Sequence, residues 1–418
     1  MNETVKYLVM VNPNNNGVQN NKYYQMTNNG DGTFTVKYGR VGASEQTRSY
    51  PISQWYKKYN EKINKGYQDV TDLQEDLIVK EEKKKDNTYR EIQNKVISEL
   101  VDKLQSLAKA SVDANYKVKA NAVTQKMVDK AQELLDSLVD FKGTVDEFNE
   151  QLIKLFTIIP RKMGNVNEYL IRDIDDIQHK ITEEADILDT MRGQVYVKDI
   201  SNKDDNSDIS QNDMTILEAL GLEIEEVTDD EIQMIKDLMG QNSDKFVRAY
   251  KAKHILSNKK FEEYKKEKNI INTELLWHGS RNRNWFSIIS QSLKIRPAGV
   301  ATNGSLFGSE GIYFANNVMK SRNYCGLRGS YWVSGNDDTG YVALFETAYG
   351  DNPYDVYSFS SEYYNMNEKR LNEKKKGATC LHAHAGTKLD GSWSQLVNDE
   401  IIFYNENAVT IRYLVEIK

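Results

Sequence analysis

Residues 274–284 read ELLWHGSRNRN, an apolar run, Leu275-Leu276-Trp277, that stops abruptly on His278-Gly279-Ser280. Further short runs of the same kind follow: GIYFA (311–315), YVALFETAYG (341–350), DEIIFY (399–404) and TIRYLVEI (410–417). Each is too short for a buried helix, is rich in β-branched and aromatic residues, and is bounded by turn residues, so each predicts a strand. Upstream, Thr228 and Glu231 form a capping-box pattern ahead of the helical stretch IQMIKDLM. Residues 212–418 are therefore expected to form a mixed α/β domain built on antiparallel sheets.

Working toward the N-terminus, the periodicity changes. Ile92, Val96, Leu100, Leu104 and Leu107 fall at helical spacing, as do Val123, Met127, Ala131, Leu134 and Leu138, and later Leu170, Ile174, Ile177, Ile181 and Leu188. Pro160 ends the helix predicted for VDEFNEQLIKLFTII. Residues 88–195 thus read as an all-α bundle whose apolar stripes are core. Residues 1–80 read as a small β-rich domain: KYLVMV and GTFTVKYGRV are strand-like, and NPNNNG and NNGDG are turn material. ISQWYKKYNEKINKGY predicts an amphipathic helix ending near Gly66. The charged stretch KEEKKKDN (80–87) is a linker or helix start, and the polar, aperiodic residues 196–213 mark a domain boundary. The fold class expected is multidomain α+β.

Charged residues make up 28% and hydrophobic ones 39%, the balance of a soluble globular chain. No apolar run reaches the length of about 18 residues that a membrane span needs, and MNETVKYLVMVNPNNNG has no signal-peptide pattern. The expectation is an intracellular protein without membrane contact. Net charge is −7, yet residues 1–75 hold nine Lys and Arg against seven Asp and Glu, leaving that segment near +2 and the remainder near −9. A local nucleic-acid site is therefore compatible with the acidic whole. Two cysteines, Cys325 and Cys380, and five histidines show no zinc-site spacing. His382 and His384 flank one residue and would share a strand face, but they read as a polar strand or loop, and no metal is expected.

Walker, Rossmann, H-E-x-x-H and G-x-S-x-G motifs are all missing from the sequence. Polar residues within the apolar runs are what remain: His278, Tyr313, Lys320, Ser321, Tyr324 and Glu400. Singly, a histidine or tyrosine in a strand is usually packing, and a glutamate before an apolar run is usually a solvated strand end. A carboxylate opening a buried strand is nevertheless costly unless something requires it.

Taken in order, L-L-W-H-G-S-R…N, S-Q-x-L-K-I, F-G…G-I-Y-F-A, K-S-x-N-Y-C and N-D-E-I-I-F-Y resemble the catalytic domain of poly(ADP-ribose) polymerases over residues 215–418. The segment 88–193, with LFTIIPR, resembles that family's regulatory helical domain. Val36-Lys37-Tyr38-Gly39-Arg40-Val41-Gly42 resembles the Trp-Gly-Arg (WGR) domain of its DNA-dependent members, with Tyr38 standing for the Trp. The resemblance implies an ADP-ribosyltransferase fold with NAD⁺ as substrate and a catalytic triad of His278, Tyr313 and Glu400. His278 would bind a ribose hydroxyl. Gly279, through its backbone, and Ser321 would hold the nicotinamide carboxamide. Tyr313 and Tyr324 would sandwich the nicotinamide ring. Ser280, Asn284, Lys294 and Lys320 would line the rest of the pocket, Lys294 standing where arginine is usual. Glu400, with Asp399 as its rival, would stabilise the developing oxocarbenium charge.

The same resemblance implies that Lys37, Tyr38, Arg40, Arg48, Lys57 and Lys58 meet DNA. The enzyme would be a monomer without DNA and would transfer ADP-ribose chains to proteins, itself included, once DNA ends or strand breaks loosen the helical domain. It would work in a nucleus, or in bacterial cytoplasm or nucleoid. The loop 351–389 departs from the family pattern, so a mono-ADP-ribosyltransferase acting on protein or DNA ends is one alternative, and a catalytically weak DNA-end-binding scaffold is the other.

Overall fold

The computed structural model describes residues 5–12, 20–40, 44–73, 89–118, 120, 123–163, 165–203, 214–295, 306–308, 310–330, 333, 335–386, 394 and 396–418. The expected linker at 80–87, Ser309 and most of the expected boundary at 196–213 lie outside these residues. The chain forms two compact units, residues 1–86 with 109–198 and residues 87–108 with 199–418. The chain passes between them three times, at 86/87 within the polar stretch 80–87, at 108/109 and at 198/199, the last two each within a helix.

In the first unit, strands β1 (Val5–Asn12), β2 (Asn20–Asn28), β3 (Thr33–Arg40), β4 (Gln46–Pro51) and β5 (Gln68–Asp69) form an antiparallel sheet in the order β4-β3-β2-β1-β5. Gly30 and Gly32 take positive φ in the β2–β3 turn, where a Cβ would be strained. β1 is apolar at successive positions because both its faces are covered. Leu8 and Met10 pack with Phe34 and with Trp55 of helix α1 (Trp55–Ile63), whereas Val9 and Val11 pack into the helical core. That core is built from the second half of α2 (Lys95–Asn115), α3 (Gln125–Ser137), α4 (Val145–Ile158) and α5 (Ile177–Lys203).

Local signals set these helices. Thr144 and Glu147 close a capping box on α4, and α4 stops at Ile158, two residues before Pro160. Arg161, just beyond, is buried and ion-paired to buried Glu184 of α5 at 3.1 Å, with Lys180 on the same carboxylate at 3.0 Å. Two expectations are corrected. Leu170 and Ile174 precede α5 instead of lying on it, and Ile174 is exposed, because Asp173 turns the chain through a short 3₁₀ segment first. The second is the irregular structure expected from residue 196 on: residues 196–203 continue α5, and the division between the two units falls within the expected boundary, between residues 198 and 199.

In the second unit, β6 (Leu222–Glu226), β7 (Phe246–His254), β14 (Val409–Ile417), β10 (Gly340–Thr347) and β8 (Glu274–Gly279) form an antiparallel sheet in that order. A second sheet runs β11 (Tyr354–Val356), β12 (Leu381–Ala383), β13 (Glu400–Phe403) and β9 (Ile312–Phe314). Its β11–β12 pair is parallel, contrary to a purely antiparallel expectation, because a long connection carrying helix α11 (Glu368–Lys374) separates the two strands. The sheets are stitched where Trp277 and Ala315 exchange backbone hydrogen bonds of 2.8 and 2.9 Å. All five runs predicted as strands are strands, and α7 (Asp229–Met239) starts on the Thr228–Glu231 capping box; α6 (Ile216–Ala219) and α8 (Ile255–Lys268) flank it in sequence. Among the described residues no helix is long and apolar enough to cross a membrane.

Candidate active site

The Trp277–Ala315 stitch sets the geometry that follows. It delivers the residue after Trp277 and the one before Phe314 to the same seam, so His278 Nδ1 lies 2.9 Å from the backbone carbonyl of Tyr313. A carbonyl can only accept, so Nδ1 carries the proton, and the neutral ring presents Nε2 as an acceptor. Burial among Trp285, Phe314 and Phe345 holds the imidazole below its ordinary pKa, against the opposing pull of that carbonyl. His278 is thus a neutral acceptor at physiological pH.

The Tyr313 hydroxyl has two backbone partners. It donates to the Gly308 carbonyl at 2.7 Å and accepts from the Phe307 N–H at 3.0 Å, tying down the preceding loop. The register Tyr313↔Ile402 then sets Glu400 at the head of β13, two residues before Tyr313's partner. Glu400 Oε2 is 2.7 Å from Lys320 Nζ, which also donates to the Asp399 carbonyl at 2.9 Å. Lys320 and Ser321 are buried on the short helix α10 (Val318–Arg322), and Tyr324 follows within one turn. Burial pushes the Glu400 carboxyl up, and the Lys320 charge pulls it back. The hydroxyls of Tyr313 and Tyr324 are both pushed up by burial and then by the Glu400 charge, which puts both within its field.

Gly279 lies against the backbone of Ser321, and a Cβ there would overlap the Ser321 carbonyl. The glycine is therefore required by the fold itself, apart from any ligand. Asn284 Nδ2 donates to Ser280 Oγ at 3.2 Å, and Trp285 Nε1, at the start of α9 (Trp285–Gln291), donates to the Tyr341 carbonyl at 2.9 Å, anchoring this side of the seam. Lys294 is taken up elsewhere. It is half exposed and paired with Glu406 at 2.9 Å, and among the described contacts it meets none of the other candidates.

Asp399 is committed differently from Glu400. Its carboxylate accepts from Asn316 Nδ2 and Ala385 N–H, both at 2.7 Å, and sits 3.2 Å from His382 Nε2. Tyr349 OH holds the other His382 nitrogen at 2.6 Å. This Asp399-centred group was not legible as such in the sequence; its one visible signal was the spacing of His382 and His384.

In the first unit, the Tyr38 ring packs 6.0 Å from Tyr24, and Arg48 stacks over Tyr38 at 5.8 Å. Lys37 is paired with Glu45 and Lys58 with Glu61, while Arg40 and Lys57 are exposed. Of the six candidates there, Tyr38 and Arg48 form a joined aromatic–cation pair.

Residues 229–418 match the poly(ADP-ribose) polymerase catalytic domain. Uncharacterized protein 101L of invertebrate iridescent virus 6 is 37% identical over 190 residues, 45% of this chain and 76% of that protein. Poly(ADP-ribose) polymerase 1 of Gallus gallus is 30% identical over 285 residues, 63% of this chain and 27% of its own length. Poly(ADP-ribose) polymerase 2 of Arabidopsis thaliana is 32% identical over 186 residues, 41% of this chain and 27% of its own. The chain spans about a quarter of the length of these two polymerases.

Proposed function

Through residues 229–418 this chain belongs to the poly(ADP-ribose) polymerase family, and on that premise we propose that it is an NAD⁺-dependent ADP-ribosyltransferase that builds poly(ADP-ribose) when DNA ends are present. The observation that carries the reading is that the His278 ring meets the Tyr313 backbone carbonyl while Glu400, heading the strand paired with that of Tyr313, is ion-paired with buried Lys320.

Each group suits a step of nicotinamide–ribose cleavage. His278 Nε2 accepts a hydrogen bond from a ribose hydroxyl, which fixes the sugar. The Gly279 backbone, hemmed in by Ser321, holds the carboxamide, and Tyr313 and Tyr324 flank the nicotinamide ring. The glycosidic C–N bond breaks with its electron pair leaving on neutral nicotinamide. Positive charge then develops on the ribose, and Glu400 stabilises it electrostatically. The acceptor nucleophile forms the new bond to the ribose carbon and gives up its proton to Glu400. The three partners of Asp399 favour Glu400 for that role. The Tyr38–Arg48 pair supports DNA-end binding, since an aromatic face and a guanidinium suit a terminal base and its phosphate.

The test is incubation of the full chain with labelled NAD⁺, with and without short 5′-phosphorylated duplexes, followed by a denaturing gel. The proposal expects a ladder that appears only with DNA. A single band makes it a mono-transferase, a ladder indifferent to DNA removes the switch, and no transferred label overturns the activity.

A further inference from the structure

Next to Asp399 lies a second cluster, outside the groups given a role in ADP-ribose transfer above. β11 and β12 run parallel with Asp355 opposite His382, and His384 follows two residues later on the same face. The His384 N–H is anchored on the Val356 carbonyl at 2.8 Å. This pairing brings ligand atoms of Asp355, His382 and His384 within 4.8 Å of one another. The two imidazoles stack at 3.7 Å, His384 Nε2 lies 2.7 Å from Asp355, and Asp399 lies 3.2 Å from His382 Nε2.

We propose that Asp355, His382 and His384 bind a borderline divalent cation of the zinc class. The donor set argues for that class: two imidazoles and a carboxylate suit zinc, whereas calcium and magnesium prefer oxygen alone. Charge argues the same way. With neutral imidazoles the cluster carries the two carboxylates Asp355 and Asp399, which a dication balances, while the nearby Lys320 is already matched by Glu400. The support is also of the metal-site kind. Tyr349 OH and Asp399 hold the two ring nitrogens of His382, so one stays oriented when the other takes a metal. Tyr357 stacks on the outer face of His384 at 4.8 Å, restraining that ring. Asp399 stands ready as a fourth donor or as an orienting acceptor.

The proposal concerns metal binding, so its test is binding. Cobalt(II) is titrated into the full chain, stripped with chelator beforehand, and visible absorption is followed together with metal content after dialysis against zinc. One equivalent with the intense bands of a four-coordinate site is expected, lost in His384→Ala and in Asp355→Asn while far-ultraviolet dichroism stays native. Unaltered cobalt spectra, or zinc retained equally by the variants, overturn the site. Should either variant misfold, the wild-type melting temperature decides: zinc raises it if the site is real, and no rise overturns it.

Discussion

Removing the Lys320 ammonium should move the acid limb of the transferase pH profile upward. In the folded protein two influences oppose each other at Glu400: burial raises its pKa, and Lys320 at 2.7 Å lowers it. In Lys320→Met the burial stays and the opposing charge goes. An opposite charge at this range typically depresses a carboxyl pKa by about 1–3 units, equivalent to about 1.4–4 kcal/mol at ~1.36 kcal/mol per unit. Stranding a buried charge costs about 3–5 kcal/mol, so taking up a proton is the cheaper response, and Glu400 becomes neutral while the protein stays folded. The sign follows directly. A carboxylate needed in its ionised form is titrated away at a higher pH, so kcat/KM falls in a pH range where wild type is still active and recovers on the alkaline side. The displacement expected is about one to three pH units. The assay is nicotinamide release across pH for wild type, Lys320→Met and Lys320→Arg, with folding checked by circular dichroism. A folded Lys320→Met enzyme with the wild-type acid limb would refute the reasoning, as would Lys320→Arg failing to hold the limb near its original place.

In the first unit, Glu184→Ala leaves Arg161 and Lys180 without their shared buried carboxylate and should cost about 3–5 kcal/mol in urea unfolding, whereas the exposed pair Lys130–Glu133 should contribute less than about 1 kcal/mol. Gly279→Ala should lower stability by about 1–3 kcal/mol even without substrate, because its Cβ overlaps the Ser321 carbonyl; a melting temperature equal to wild type would contradict that packing. His278, His254 and His382 are all held below the free value of 6.5, first by burial. Their stabilising contribution is complete above that pH and is lost as pH falls through their lower folded values. The urea midpoint should accordingly drop on the acid side, and a flat midpoint between about pH 8 and pH 5 would count against neutral buried rings.

Strand identity was readable because it depends on local hydrophobicity: Leu275–Trp277, Ile312–Phe314 and Ile401–Phe403 are each apolar runs of strand length, and each is a strand. The helix start at Thr228 was equally local, since a cap needs only a hydroxyl and a glutamate three residues on. Pairing was not readable. Nothing in Tyr354–Val356 announces that it lies parallel to Leu381–Ala383, so Asp355 could not be associated with His382 from spacing alone. Spacing to Ile401–Tyr404 favours Glu400 over Asp399, whereas the partners that distinguish the two, Asn316, Ala385 and His382 on Asp399 and Lys320 on Glu400, come from distant positions that spacing does not reveal. Periodicity also overran the true start of α5, because Leu170 and Ile174 keep helical spacing through a turn that Asp173 directs.

The helix α2, divided between the two units at residues 108 and 109, has a consequence for how the chain is made. Lys103 reaches across its unit to Glu416 at 2.8 Å and lies over the Tyr341 ring, partners 313 and 238 residues later in the chain. During synthesis the first half of α2 leaves the ribosome long before these partners exist, and the whole of residues 109–198 follows it out. Contacts so distant in sequence form late and slowly. The first unit can thus mature on the growing chain, while the second stays open at residues 87–108 until β14 has been made.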